Sequence, residues 1–326
     1  MTLYRDILKK AWIVTWRNKF LWVFGFLASF LGLGSAYEVI YKTTNLSEQQ
    51  DIFGISLWNE IAATGLTWID IKDSLISSPL TGFFIFLFVA ITLLVLLAFY
   101  WLFTCSQAAL IKGVDAVETK KQDFHGLFEK SKKYFWKVFG MNILGKAIVF
   151  ALLLLLSYPI LLPLLSGTFS IASFLLFLLL FVIIFILVLA ISIITVYAVI
   201  HLVLKDMSFG QSIAAAWKLF KNNWLVSLEA AVILFFISLL VALIFLIGST
   251  IVYIPFGFAF QIAAYLQSAV LFWILVFFVG LLVLATFIFA AAILTTYQLA
   301  VWTTIFEQID KGKIQSKLHR LMENHL

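Results

Sequence analysis

The residues that could do chemistry in this sequence are few and scattered. The sequence contains no H-E-x-x-H, G-x-S-x-G, G-x-x-x-x-G-K-[ST] or G-x-G-x-x-G motif. No histidine has a second His or Cys at metal-ligand spacing. The four histidines are His125, His201, His319 and His325. We therefore expect no catalytic residues, no metal site, no cofactor and no enzymatic activity.

Two ionisable residues interrupt otherwise apolar segments. Lys146 and Glu229 each lie about 7–12 Å beyond the start of such a segment, counted at 1.5 Å per helical residue. Charges at such positions are costly, and they tend to pair or to face a bundle interior. The sequence predicts an ion pair between the two, either for packing or for a proton- or substrate-linked role. The alternative is that both side chains extend to the membrane surface.

The composition indicates which elements must position these residues. The chain has 326 residues, of which 64% are hydrophobic and 12% charged. A soluble domain has about 45–50% apolar and about 25% charged residues. A water-soluble core of this size cannot hide the excess, so we predict an integral membrane protein with an all-α fold.

Six apolar stretches are long enough to cross a bilayer, which takes about 20 helical residues. We therefore predict a polytopic helical bundle that forms a single membrane domain over residues 1–326. The predicted spans are Phe20–Ile40, Leu80–Leu110, Val138–Leu165, Ile171–Leu204, Trp224–Ile254 and Ser268–Phe306.

The distribution of lysine and arginine predicts how the spans are oriented. Nineteen of these 22 residues lie before the first span, after the sixth, or in the second and fourth connections. The opposite side has only Lys42 and Lys72, and Lys146 lies within the third span. We expect both termini in the cytoplasm, including a tail of residues 307–326.

The outer side has one long connection, residues 43–78, with both acidic and large apolar residues. We predict an amphipathic segment that lies on the outer surface, caps the bundle or binds a partner. The small residues Gly34-Ser35-Ala36 leave signal-peptide cleavage of the first span as an alternative. We expect the first span to be kept, because it belongs to the repeat described next.

A basic amphipathic segment leads into a span three times, at Leu3–Phe20, Phe124–Phe139 and Phe209–Trp224. Apolar residues three and four apart place one stripe on each helix. AWIVTWRN at 11–18 and AWKLFKNN at 216–223 also share Ala-Trp and a later Asn. We predict three units, each an interface helix followed by a two-helix hairpin. The units cover residues 3–110, 123–204 and 209–306.

Basic side chains in and beside these segments are predicted to contact anionic lipid headgroups on the cytoplasmic side. They are Arg17, Lys19, Lys130, Lys132, Lys133, Lys218 and Lys221. The formal charge of +6 fits this prediction, and we expect no nucleic-acid partner. Amide side chains within the spans are predicted to hydrogen-bond between helices or to line a polar cavity. They are Gln107, Asn142, Gln261, Gln267 and Gln298.

Two segments carry a resemblance to a known family. In Ser106–Leu144 and Ser208–Leu228, a span ends and a short basic loop leads into the next amphipathic helix. This pattern resembles bacterial and archaeal integral membrane proteins with a glycerophosphoryl diester phosphodiesterase membrane domain. Some members fuse that domain to a soluble hydrolase. The resemblance implies the membrane domain for this chain, without the hydrolase activity.

Two functions fit the sequence. The first is a non-enzymatic module that interacts with lipid or scaffolds a partner in the plasma membrane of a prokaryote. The second is a small-solute transporter or permease that uses Lys146 and Glu229 within the bundle.

Overall fold

The structure is a computed structural model that describes residues 2–33, 79–116, 124–166 and 171–311. Every element in these ranges is helical, as the sequence predicts. A π-helical turn, Ser29–Leu33, extends the second helix. The helices are α1 (Thr2–Arg17), α2 (Leu21–Ala28), α3 (Pro79–Ala116), α4 (Phe124–Lys132), α5 (Phe135–Ser166), α6 (Ile171–Leu204), α7 (Phe209–Asn222), α8 (Trp224–Tyr265) and α9 (Ala269–Asp310).

Five helices are long and apolar enough to cross a membrane: α3, α5, α6, α8 and α9. In lipid, a helix satisfies its own backbone polar groups, so uninterrupted apolar runs fold this way. Helix α2 is apolar but short, and the predicted first span is described only as far as Leu33. The chain has the architecture of a multi-pass membrane protein, while the count of six spans stays a prediction.

Two predicted boundaries are wrong. The fifth span does not stop at Ile254, because α8 continues through Pro255 to Tyr265. A proline removes one backbone donor, which long apolar helices tolerate. The second amphipathic segment does not reach Phe139 as one helix, because α4 ends at Lys132 and a turn follows. In that turn, the backbone N–H of Tyr134 donates to the carbonyl of Ser131 at 3.0 Å.

The chain divides into two compact units. One consists of Met1–Gly34 with Phe103–Leu326, and the other is Ser35–Leu102. The described part of the second unit is the first portion of α3, and most of its side chains are exposed. The predicted outer segment, 43–78, lies outside the described residues, as does most of the predicted tail beyond Lys311.

The buried core of the first unit lies at one end of its helices, which we call the inner end. The short helices α1, α4 and α7 pack at this end, together with the final turns of α6 and α9. Tyr134, Tyr197, Phe24 and Phe306 are its largest fully buried side chains. Away from the inner end, α5, α6, α8 and α9 expose most of their Leu, Ile, Val and Phe residues. Hydrocarbon would cover such a surface, and water would not.

Each short helix packs against a long helix, which for α4 and α7 is the preceding long helix and for α1 is α9. Helix α7 packs on α6, and α1 packs on α9. Helix α4 meets the inner end of α3, where Leu127 Cδ1 would lie 3.4 Å from a Cβ added at Gly113. The long helices also form two antiparallel pairs, α5 with α6 and α8 with α9. The inner end is therefore held together by contacts between segments distant in sequence.

Small residues permit the closest approach in this core. A Cβ added at Gly25 of α2 would lie 2.5 Å from the carbonyl oxygen of Ala292 and closer still to Thr296 Oγ1. Thr296 Oγ1 also bonds to the carbonyl of Leu21 at 3.3 Å. Glycine is required here because helices α2 and α9 touch at their backbones.

Candidate functional site

The two charges predicted to pair have different surroundings. Glu229 lies half-buried near the start of α8, and its Oε2 accepts a hydrogen bond from the hydroxyl of Tyr4 at 2.5 Å. Lys146 lies exposed on α5, next to Gly145, which packs against Thr195 of α6. The structure thus assigns Glu229 a partner on α1, and the ion pair with Lys146 stays a prediction.

Ion pairs connect three pairs of segments at the inner end within the described ranges. Lys10 of α1 lies 3.7 Å from Glu307 of α9. Lys205, which follows α6, lies 2.5 Å from Asp310, the last residue of α9. The third pair joins Lys133, in the turn between α4 and α5, to Asp206 at 3.0 Å. Two of the three acidic partners lie at the end of α9, so this helix serves as an anchor for α1 and α6.

A tyrosine and four charged residues cluster at the turn between α4 and α5. They are Tyr134, Lys112, Lys133, Lys137 and Asp206. Lys112 Nζ of α3 donates to the hydroxyl of the buried Tyr134 at 2.9 Å and lies 4.3 Å from the centre of its ring. Lys133 Nζ lies 4.7 Å from the same ring. Lys137 Nζ donates to the carbonyl of Met207 at 3.2 Å. The cluster therefore fixes the connection between α6 and α7 against the start of α5.

The protonation states of this cluster follow from its hydrogen bonds. The bond with the Tyr134 hydroxyl, followed by the bond with Lys133, lowers the pKa of Asp206 below its ordinary value of 3.8. Hydrogen bonding to Tyr134 and then to Asp206 raises the pKa of Lys133 above 10.5. Both residues are therefore charged at neutral pH. Asp206 also has a positive φ of 53°, a conformation that Asp and Asn adopt more often than other residues with a side chain.

Polar side chains bond across the helices in the inner half of the bundle. Asn142 Nδ2 donates to Gln107 Oε1 at 2.8 Å, which confirms the predicted interhelical role of this pair. Gln298 Nε2 donates to Ser238 Oγ at 2.8 Å, so its prediction is confirmed too. The hydroxyl groups of Tyr197 and Ser227 lie 2.9 Å apart. These bonds tie α3 to α5, α9 to α8, and α6 to α8.

Three buried polar atoms in the described helices have no hydrogen-bond partner. They are Thr295 Oγ1, Thr303 Oγ1 and Gln298 Oε1, all on α9. An unsatisfied buried polar atom carries a desolvation cost of about 1–3 kcal/mol. Helix α9 therefore has unused hydrogen-bonding capacity within the core.

The residues predicted to contact lipid lie at the inner end, and all seven are exposed. Large aromatic residues accompany them. Trp12 and Trp16 on α1 are 52% and 39% exposed, and Trp217 on α7 and Trp224 at the start of α8 are 56% and 55% exposed. Tryptophan favours the membrane–water boundary, where its ring meets lipid and its N–H meets water. The structure therefore places exposed indoles beside exposed cations.

Histidine and cysteine form no cluster in the described ranges. No three His, Cys, Asp or Glu side chains there come together as metal ligands. His201 is buried, and its Nδ1 bonds to the carbonyl of Tyr197 at 2.8 Å. Its ring meets Phe306 edge-on at 4.6 Å, which is the environment of a packed core histidine. Cys105 is buried as a free thiol.

Two tyrosines at the site were missed by the sequence reasoning. Tyr4 and Tyr134 supply hydroxyl groups to Glu229 and to the cluster around Asp206. A signal existed for Tyr4, because it shares the apolar stripe of α1 with Ile7 and Ala11. A tyrosine on a buried stripe usually needs a hydrogen-bond partner.

Comparison with known proteins found no match among family models, curated proteins or solved structures.

Proposed function

We propose that this chain is a non-enzymatic membrane module that binds anionic phospholipids of one leaflet through its short helices and so forms a fixed platform in the bilayer. The observation that carries the proposal is the composition of the inner end. Short helices with buried apolar stripes present exposed tryptophan and lysine there, beside five helices of membrane-crossing length. Such a surface fits the boundary between hydrocarbon and charged headgroups.

The equal burial of the short helices supports a threefold internal repeat. Ile7, Ala11 and Val14 of α1 are buried, with spacings of four and three. Leu127, Ser131 and Tyr134 are buried with the same spacings. In α7, Ser212 and Ala216 are buried and Leu219 is partly buried, again with the same spacings. In this register, each unit is one short helix followed by two longer helices, over residues 3–110, 123–204 and 209–306.

The shared letters of the first and third segments also have matching structural roles. Ala11 and Ala216 are fully buried, while the tryptophan after each is more than half exposed. The amide of Asn18 donates to the carbonyl of Val14 at 3.0 Å. The amide of Asn223 donates to the carbonyl of Leu219 at 3.2 Å. Equivalent residues thus do equivalent work in the two segments, which favours duplication over chance similarity.

The orientation belongs to the same proposal. With both termini in the cytoplasm and six spans, the inner end faces the cytoplasmic leaflet, which is the anionic one. The location that follows is the plasma membrane of a prokaryote. The proposal also includes a relationship to the glycerophosphoryl diester phosphodiesterase membrane-domain proteins, which two segments of the sequence resemble.

The test is lipid retention by the purified chain. Protein is reconstituted into nanodiscs of phosphatidylcholine with a minor fraction of phosphatidylglycerol, and native mass spectrometry counts the lipids that remain bound after release. We expect phosphatidylglycerol to be enriched over its mole fraction in the disc, and the enrichment to fall as salt rises. Equal retention of both lipids at low salt would refute the proposal.

A small-solute transporter is the second candidate. It is favoured by buried polar atoms of α9 that have no hydrogen-bond partner among the described residues. Thr295 and Thr303 have buried hydroxyl groups without a partner, on the same helix as Gln298. Lys146 and Glu229 would supply the charges for coupling. A flux assay in liposomes, with a panel of labelled amino acids, sugars and ions, tests this candidate. Uptake that Glu229→Gln abolishes would favour transport over the platform.

A further inference from the structure

We infer that the corner where α7 meets α8, formed by Trp217, Lys218, Lys221 and Trp224, is the site that binds the phosphate of an anionic phospholipid. This inference rests on the proposed function, and it assigns the binding to one of the three short helices. The occupant is a lipid of the leaflet at the inner end, because the two cations lie between two exposed indoles at the start of a membrane-spanning helix.

The ion pairs divide the described inner-end cations into two sets, and the unpaired set contains Arg17, Lys19, Lys130 and Lys132 as well as Lys218 and Lys221. Lys218 and Lys221 differ from the others because they lie between two tryptophans that are each more than half exposed. Lys10, Lys133 and Lys205 lie within 4 Å of Glu307, Asp206 and Asp310. A lysine whose charge is already matched by a carboxylate attracts a phosphate more weakly. Lys218 and Lys221 are exposed, and no carboxylate among the described residues pairs with either. Their full charge is available to a headgroup.

The burial register also distinguishes α7 from α1. Ala11 and Ala216 are equivalent, so Ile13 corresponds to Lys218 and Trp16 to Lys221. The exposed positions that carry apolar side chains on α1 carry ammonium groups on α7. At these two positions α7 therefore offers cations where α1 offers apolar side chains, while the cations of α1 lie elsewhere on that helix.

The same register supplies an internal control on α4. Ser131 is equivalent to Ala216, so Lys133 is the counterpart of Lys218. Both lysines are exposed, but Lys133 is paired with Asp206 at 3.0 Å and lies 4.7 Å from the ring of Tyr134. These contacts remove Lys133 from the set of lysines that bind lipid, although the sequence predicts it to be one of them.

The side-chain spacing at the corner suits a phosphate diester. Lys218 and Lys221 are three residues apart on one helix, and such side chains are neighbours on the helix surface. Trp217 lies four residues before Lys221, so its ring borders the same face. The indoles contact the upper part of the acyl chains and the ammonium groups contact the phosphate above them.

The experiment measures the binding of phosphatidylglycerol to the full-length chain in nanodiscs, titrated at constant total lipid and counted by native mass spectrometry. The variants are Lys218→Gln with Lys221→Gln, and Lys133→Gln as the matched control. We expect the double variant to bind phosphatidylglycerol about twentyfold to thirtyfold more weakly, or about fivefold per lysine, and the control to change binding less than twofold. Thermal unfolding of each variant verifies that it is folded, which the exposure of the lysines predicts.

The outcomes separate the inference from the proposed function. If no variant changes a clear preference for phosphatidylglycerol, or if Lys133→Gln weakens it most, the α7–α8 corner is refuted and the platform stands. If the wild-type chain shows no preference for phosphatidylglycerol, both are refuted. A further arm adds millimolar inorganic phosphate. Complete displacement of the lipid by phosphate would identify a free-anion site and overturn the assignment to a lipid.

Discussion

The hydroxyl of Tyr4 donates a hydrogen bond of 2.5 Å to Glu229 Oε2, across 225 positions of sequence. The bond joins the first helix of the chain to the beginning of α8. Lys10 of α1 also lies 3.7 Å from Glu307, near the end of α9 and at the same inner end of the antiparallel α8–α9 pair. Helix α1 is therefore held at two points at the inner end, by α8 and by α9.

The Tyr4–Glu229 bond should contribute measurably to stability. We expect Tyr4→Phe to lower the free energy of unfolding by about 1–2 kcal/mol, because it removes a hydrogen bond to a charged acceptor and keeps the ring. The measurement is unfolding in mixed micelles as the fraction of SDS rises.

A double-mutant cycle with Glu229→Gln isolates this contact. The loss in the double variant should be smaller than the sum of the two single losses by at least about 0.5 kcal/mol, since residues in direct contact do not act additively. Strictly additive losses would mean that the two side chains do not interact in the membrane.

The approach of α2 to α9 makes Gly25 sensitive to any side chain. Gly25→Ala would place a Cβ 2.5 Å from the carbonyl oxygen of Ala292. The helices must separate, so we expect a loss of about 1–3 kcal/mol in the free energy of unfolding. Far-UV circular dichroism against temperature in detergent gives the change.

Gly248→Ala is the matched control for Gly25→Ala. Gly248 lies within α8, and a Cβ there would meet no atom within 4 Å. Alanine also has the higher helix propensity, so this variant should be as stable as the wild type or slightly more stable. Equal effects of the two substitutions would show that Gly25 is not a packing contact.

The sequence predicted the elements of this protein better than it predicted their partners. The short helices α1, α4 and α7 and the five long apolar helices follow from periodicity and hydropathy, which are properties of short stretches. The first of the six predicted spans is described only as far as Leu33. The contact between Glu229 and Tyr4 does not follow from periodicity or hydropathy. The two residues are distant in sequence, and many packings of apolar helices would place some helix beside α8. The sequence argument considered charges alone, so it predicted Lys146 as the partner and did not consider Tyr4; the pair with Lys146 stays a prediction.

The break between α4 and α5 illustrates a second limit. Apolar residues continue at helical spacing from Phe124 to Phe139, and the sequence there has no proline or asparagine to signal an end. The turn at Lys133 and Tyr134 depends on contacts with Lys112 and Asp206. Tertiary contacts of this kind override the local pattern, and only the folded chain reveals them.

The pairing of Lys133 with Asp206 predicts a pH dependence at the turn between α4 and α5. The pKa of Asp206 is lowered in the folded state, so the pair stabilises the fold above 3.8 and the stabilisation is lost as pH falls through the lower folded value. The pKa of Lys133 is raised, so its contribution is complete below 10.5 and is lost as pH rises beyond that value.

Hydrogen–deuterium exchange of the turn, corrected for the intrinsic pH effect, measures this dependence. We expect protection to be constant from about pH 5 to 9 and to fall at acidic pH in the wild type. Asp206→Asn should lack the acidic fall. Asp115→Asn, which alters an exposed carboxylate of α3, is the control and should retain it. An unchanged acidic fall in Asp206→Asn would assign the effect to another group.

The bond between Asn142 and Gln107 should stabilise the packing of α5 on α3. Both side chains are buried, and the amide of Asn142 donates to Gln107 Oε1 at 2.8 Å. Asn142→Leu leaves the Gln107 amide without this partner, and we expect a loss of about 1–2 kcal/mol in the free energy of unfolding. Gln107→Leu should have a similar effect for the same reason.

The double variant with leucine at both positions separates this bond from general packing. Replacing both partners by apolar groups removes the unsatisfied amide, so the double variant should be more stable than either single variant. Unfolding by SDS measures all three. The result also bears on transport: if a solute is carried and the double variant carries it at the wild-type rate, this pair belongs to the packing of the bundle and not to a pathway through it.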